Sequence, residues 1–337
     1  MAKVPTAPTL RSRIYGCLFG GLIGDAMGAP GENKTYEEIA ATYGELTDFD
    51  GAGTDDTAIR LILIDAIMQS GGHPRVDDFG AAFLRARDTS YRLWWVPVKN
   101  MFHKLEAGLV TPTDAGWGNM HSSSSAMAIA PLGILNAGDP RRAAREAFEL
   151  ATLLHSGPSG FARDAACAMA TAIAAAFSPD AAVEDVLDAA TAHLLPVSAR
   201  VMREEIATAL ALAREAGSYE AFRRAFYEQR LREHVADPRE TVPITLALFF
   251  LADGDPSRAI VMGANFGRDA DTIGTMVGSL CGALRGAEAL RPAWVRKAAV
   301  GAGARYEEIV QRFVGLLARR RDEARAQAQL LDGLLQD

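Results

Sequence analysis

"GCLFGGLIGDAMGAPGE" occupies residues 16–32. Gly16, Gly20, Gly24 and Gly28 recur every four residues within it, and Gly274, Gly278, Gly282 and Gly286 repeat the pattern late in the chain. A glycine inside a helix costs about 1 kcal/mol relative to alanine. Four of them on one face need a reason, and close approach of another backbone is the usual one. Residues four apart share a helix face, and without side chains they leave a smooth groove. Both segments therefore read as central, tightly packed helices, each the candidate partner of the other.

Helical periodicity dominates the rest. "DTAIRLILIDAIMQSGG" (56–72) puts Ile59, Ile62, Leu63, Ala66 and Ile67 on one face and stops at Gly71-Gly72. "PRRAAREAFELATLLHS", "GFARDAACAMATAIAAAF", "DAAVEDVLDAATAHLL", "VSARVMREEIATALALAREAG" and "SYEAFRRAFYEQRL" read the same way, with proline or glycine between most of them. Alternating runs of the β type are scarce. The expectation is an all-α protein of about a dozen helices in a single domain, its core over about 12–300 and a long charged helix over about 303–335. The longest non-helical stretch, Thr111–Ser125, is rich in Gly, Ser and Thr and reads as a functional loop.

The 337 residues carry a net charge of −7, which argues against nucleic acid or an anionic membrane as the main partner. Cys17, Cys167 and Cys281 are odd in number and set among small apolar residues, as buried reduced thiols are. The first residues lack an apolar signal segment, and Ile14–Ala29, with Asp25 and five glycines, is too short and interrupted to span a membrane. A cytoplasmic protein is expected.

Two acidic clusters carry the chemistry. "GTDDTAIR" (53–60) sets Asp55 and Asp56 between Thr54 and Thr57, where a helix begins. "NFGRDADTIGTMVG" (265–278) sets Asp269, Asp271 and Thr272 at the start of the second glycine-striped helix. One aspartate at a helix start is explained by capping. Two adjacent carboxylates, and then a second cluster of the same composition, exceed what capping needs. If the clusters meet, their repulsion requires raised pKa values or cations. Carboxylate and hydroxyl oxygens are hard ligands that suit Mg²⁺, Mn²⁺ or Ca²⁺ rather than Zn²⁺.

"GCLFGGLIGDAMGAPGE", "GTDDTAIR" and "NFGRDADTIG" together resemble the ADP-ribosylglycohydrolase family, over roughly residues 12–300. The resemblance implies a compact all-α domain with a binuclear Mg²⁺ or Mn²⁺ site. Its metal ligands carry over onto Thr54, Asp55, Asp56, Asp269, Asp271 and Thr272. Glu32 matches a family glutamate near the metals, tied to catalysis or gating, and Asp25 matches a structural hydrogen-bonder. Glu32, Asp55 and Asp56 are the candidates for proton transfer. "LATLLHSGPSG" implies that His155 lies near the ligand; a helix-end histidine favoured by the dipole is the alternative.

The pattern departs from the family in one loop. "SSSSAMAIAPLGIL" keeps Met127 and Pro131-Leu132-Gly133, but has Ser123 and Ser124 where Asn-Gly is expected and Ala128 where arginine is expected. Ser123, Ser124 and Ser125 can still donate to phosphate, without the arginine's charge. Trp94 and Trp95 belong to a core or interface, or else wall a nucleobase. The implied partner is a ribosyl-containing small molecule or an ADP-ribosylated acceptor. Three functions stand: an ADP-ribosyl hydrolase, an N-ribosidase on a nucleoside-like metabolite lacking the diphosphate, and a non-enzymatic crystallin-like relative, against which complete metal ligands argue.

Overall fold

The computed structural model describes residues 8–51 and 53–335. Those residues form eighteen α-helices and three short 3-10 turns, and no strand beyond an isolated bridge between Trp117 and Ser156. Seven helices matter for the site: α1 (Leu10–Gly28), α2 (Asp55–Gln69), α3 (Val76–Arg85), α4 (Gly160–Ala176), α5 (Pro238–Leu251), α6 (Ala270–Arg285) and α7 (Gly303–Leu334). The excess over a dozen comes from pieces such as Arg87–Ser90 and Ser124–Ala128, too short for a 3.6-residue period to register.

The glycine stripes meet. A Cβ added at Gly20 would lie 2.2 Å from the Gly278 carbonyl oxygen, and one at Gly24 would lie 2.0 Å from that of Gly274. Gly16 faces Gly282 in the same way. As the number rises on α1 it falls on α6, so the two helices run antiparallel with their backbones in contact. α1 is buried on all sides from Ile14 to Gly28 except at Tyr15, and α6 from Ala270 to Leu284. Helices apolar all round belong at the centre of a domain. α4, α5 and α2 pack around this pair.

Antiparallel pairing fixes the site. It lays the end of α1, with Asp25 and the loop to Glu32, beside the start of α6, with Asp269, Asp271 and Thr272. α7 packs along the outside through a stripe from Tyr306 to Leu316, and its last buried residue is Arg320. That buried guanidinium bonds the Gly72 carbonyl at 2.6 Å and Asn136 Oδ1 at 2.6 Å, closing the end of α2. Residues 321–334 continue as an exposed helix, so only the first half is buried against the core. All three cysteines are buried and free. Among the described residues no helix is long and apolar enough to cross a membrane.

Candidate active site

Capping does not explain the aspartates. Thr54 caps α2, its hydroxyl accepting from the Asp56 N–H at 3.3 Å, so neither carboxylate of the pair is needed for capping. Asp269 sits at the cap position of α6, but its carboxylate makes no capping bond and instead accepts from the Ser123 hydroxyl at 2.9 Å. The clusters cross over. Thr272 Oγ1 lies 3.0 Å from both Asp56 oxygens, and Thr54 Oγ1 lies 3.2 Å from Asp271 Oδ2.

Asp25 lies behind them, fully buried. It accepts from the Thr54 N–H at 2.9 Å, the Thr57 N–H at 3.0 Å and the Thr57 hydroxyl at 2.5 Å, pinning the turn into α2. That turn passes through Gly53 at φ +90°, and a Cβ there would lie 2.5 Å from Asp25 Oδ2. Asp25 therefore has the bracing role that the motif implies. It also belongs to the metal-capable set, which its position in a glycine helix did not announce.

Two carboxylate triplets result, Asp25/Asp56/Asp271 and Glu32/Asp269/Asp271, each with oxygens within 4.8 Å of one another. Asp271 is common to both. Its Oδ1 is buried with no hydrogen-bond partner among the described residues. The nearby buried cation is Arg60, whose Nη2 is turned to Thr57 at 3.2 Å and Tyr306 at 3.4 Å. Hard oxygen donors, an orphaned carboxylate oxygen and excess negative charge fit divalent cations such as Mg²⁺ or Mn²⁺.

Burial and mutual repulsion push these acids upward. Burial, then the charges of Asp25 and Glu32, raises Asp55 to about 7. Burial, opposed by the Ser123 hydrogen bond and reinforced by Glu32 and Asp55, raises Asp269 to about 8. Asp56 and Asp271 stand well above the ordinary value of 3.8. Raised folded pKa values mean that the cation-free native state retains protons the unfolded chain has released. Its stability is therefore highest below the unfolded value and lost as pH rises through about 7 to 8. We expect the melting temperature in EDTA to fall between pH 5 and 8, and saturating Mg²⁺ to reverse that slope. A cation-free melting temperature that climbs over the same range would contradict it.

The serine segment forms the facing wall. His155 is fully buried, and its two ring nitrogens meet Ser122 Oγ at 3.0 Å and Ser125 Oγ at 2.7 Å. Ser122 donates to Ser124 Oγ at 2.9 Å, so it accepts from His155 Nε2–H, and Nδ1 accepts from Ser125. Ser124 then keeps its own proton for the cavity. Burial, followed by the charges of His121 and Arg163, lowers His155 to about 3, so the ring is neutral. His155 thus stands behind the loop and braces it, rather than lining the cavity. His155→Ala should cost about 2–4 kcal/mol in urea unfolding, the scale of a core truncation that also strands buried hydroxyls. It should raise KM while leaving divalent-cation affinity unchanged. An NMR titration of His155 with a midpoint near 6.5 would refute the neutral-brace role.

The cavity between the walls measures about 420 Å³. Glu32, Thr54, Asp55, Asp269, Asp271 and Thr272 line it, with Ser123, Ser124, Met127 and Trp95 opposite or at the rim. The tryptophans divide. Trp94 is buried among Phe83, Tyr91 and Phe102, with centroids 5.2–5.6 Å away, and does not reach the cavity. Trp95 is 38% exposed on the rim, 4.9 Å from the His234 ring. Ser125 is turned to His155, and Asp56 lies beneath the floor. Ala128 is buried outside the cavity, and Lys104 is tied to the Ala115 and Trp117 carbonyls at 3.0 and 2.6 Å. No lysine or arginine is among the described residues lining the cavity.

Glu32 is exposed at the mouth. The next residue, Asn33, and Arg268 both adopt left-handed backbone, with φ of 58° and 63°. Asn33 N–H donates to the Arg268 carbonyl at 2.7 Å, and Arg268 N–H to the Lys34 carbonyl at 2.7 Å. This two-bond clasp ties the Glu32 loop to the residue before Asp269. Asn33, Leu93, Val235 and Ala236 also line the cavity, and nothing in their sequence context singles them out.

The family model for ADP-ribosylglycohydrolase matches residues 6–325, and the chain belongs to that family of hydrolytic enzymes. It is similar to the uncharacterized protein YegU of Escherichia coli (strain K12), 29% identical over 83% of this chain and 90% of that one. It is also similar to the ADP-ribosyl-[dinitrogen reductase] glycohydrolase of Rhodospirillum rubrum, 26% identical over 87% of this chain and 92% of that one. A solved structure titled "ADP-ribosylglycohydrolase-related protein complex" shares the fold, with a TM-score of 0.68 at 23% identity, covering 91% of this chain and 99% of that one.

Proposed function

We propose that this chain is a divalent-cation-dependent glycoside hydrolase that cleaves the C1 bond of a ribosyl group, with ADP-ribosyl adducts as its substrates. The observation that carries the reading is the pair of carboxylate triplets sharing Asp271 at the wall of one open cavity. Thr54, Asp55, Asp56, Asp269, Asp271 and Thr272 would hold two Mg²⁺ or Mn²⁺ ions, with Asp25 bracing Thr54 and completing the inner triplet. Bound there, the cations supply the positive charge that polarises water and ribose hydroxyls. Glu32, at the solvent-facing edge, takes the proton of the water whose oxygen bonds to C1, and returns it to the acceptor's nitrogen or oxygen as the bond from C1 to that atom breaks. Ser124, with its hydroxyl proton free, orients the substrate from the facing wall. Trp95 at the rim packs against an apolar or aromatic part of it. The cytoplasm suits a protein with three free buried cysteines.

A second reading has one observation in its favour. With no lysine or arginine on the cavity wall, nothing there meets a diphosphate with full charge. An N-ribosidase acting on a nucleoside-like metabolite would need none. The deciding experiment incubates the protein, with Mg²⁺ or Mn²⁺, with ADP-ribosyl-serine, ADP-ribosyl-arginine and a panel of free nucleosides, and identifies products by mass spectrometry. Released ADP-ribose supports the first reading and released ribose the second. Cleavage unaffected by EDTA would sink both.

A further inference from the structure

The cavity does not end at Leu93. Gly53, Thr54 and Leu93 also line a second, larger space of about 660 Å³ that runs over the outer face of α2. Its floor is the apolar stripe Ala58, Leu61 and Ile62, and its far end is marked by Gln69 and the ion pair of Arg85 with Asp65 at 2.6 Å. From Thr54 to Gln69 the helix advances fifteen residues, roughly 22 Å at 1.5 Å each. Six or seven residues of extended chain, at about 3.3 Å each, cover that distance.

A single amino acid or base attached to C1 would fill only the Thr54 end. The remaining length has the chemistry of a polypeptide track. Leu61 and Ile62 give it an apolar floor, and Thr89, Ser90 and Gln69 give it polar walls. The Thr89 hydroxyl donates to the Ala86 carbonyl at 3.0 Å and the Gln69 amide to Asp65 at 3.3 Å, which leaves the Thr89 and Gln69 side-chain oxygens to accept from the N–H groups of an occupant. Arg305 stands on the same wall, exposed and without an ion pair among the described residues. An acidic side chain on the occupant would complete it.

We propose that this groove is the acceptor subsite: it holds an extended polypeptide of six or seven residues whose modified side chain enters the carboxylate cavity at Gly53–Thr54. The segment carries an acidic residue opposite Arg305. This rests on the ADP-ribosyl reading above and adds where on the molecule the residues flanking the modified side chain are held.

The test compares a seven-residue peptide ADP-ribosylated at a terminal residue with the same modified amino acid alone, in serine- and arginine-linked forms. The wild-type KM should be at least tenfold lower for the peptide. In Ala86→Trp and in Leu61→Arg, which fill the groove from either side, that preference should collapse toward one. The single-residue adduct reports in the same assay that each variant is folded. Arg305→Glu should switch the preference from acidic to basic peptides. No peptide preference in the wild type, or full preference in both filled variants, overturns the groove and leaves the hydrolase reading standing. Hydrolysis of neither substrate overturns the ADP-ribosyl reading and the acceptor subsite with it. Concentration-dependent dimerisation abolished by Ala86→Trp would assign the groove to a second copy of the chain, against the proposal.

Discussion

Asp271→Asn should reduce turnover by at least about 10³-fold at saturating Mg²⁺, the scale of losing a group that acts on the transition state. Asp271 is the one residue common to both carboxylate triplets. Its Oδ1 has no partner among the described residues, and its Oδ2 accepts from Thr54 at 3.2 Å, a bond that the amide oxygen of asparagine can keep. Asn keeps the size and one oxygen but removes the charge. Without cations the variant should be the more stable protein. Burial and the neighbouring Asp269 and Glu32 hold Asp271 well above its ordinary pKa, so replacing it removes a repelling partner from the cluster. The paired measurement is steady-state turnover with Mg²⁺ and a melt in EDTA near pH 8. Activity within tenfold of the wild type would remove Asp271 from the centre of the site.

Gly24→Ala should destabilise the protein by more than about 3 kcal/mol, at or beyond the upper end for overpacked cores. In most helices that substitution stabilises, because alanine is the better helix former. Here the added Cβ would sit 2.0 Å from the Gly274 carbonyl oxygen, and what it meets is backbone, which cannot rotate away. The helices must part, and the parting occurs where Asp25 faces Asp271. Divalent-cation affinity should therefore fall along with stability. Gly315→Ala on α7 is the control: nothing lies within 4 Å of its Cβ position, so a gain of roughly 0.5–1 kcal/mol is expected. Urea unfolding of the two variants decides. Equal midpoints would mean that the seam is looser than its geometry.

The fold was legible because its central decision is written in glycine. Two stripes with the same four-residue period have few reasons to exist other than each other, and they proved to be partners. The two acidic clusters were legible for a similar reason, as an excess over what a helix cap requires. Asp25 was read only as a bracing residue, because one acid in an apolar helix does not show which neighbours it meets. His155 was read from a motif that records its presence in the region, whereas burial and two serines turned it into a brace. Trp94 and Trp95 are adjacent, yet the chain enters a helix at Val96, which sends one ring inward and leaves the other at the rim. Periodicity cannot resolve so local a turn.

The proton load of the carboxylate cluster has a thermodynamic signature of its own. Asp55 and Asp269, raised to about 7 and about 8, are partly protonated in neutral buffer when no cation is bound, and a divalent cation must displace those protons to reach the oxygens. Cation uptake is then an acid-releasing reaction. The heat of a Mg²⁺ titration will depend on which buffer absorbs the protons, and the apparent affinity will climb with pH until the whole cluster, Asp56 and Asp271 included, is ionised. Plotting that heat against the buffer's ionisation enthalpy gives a line whose slope counts the protons each binding event expels.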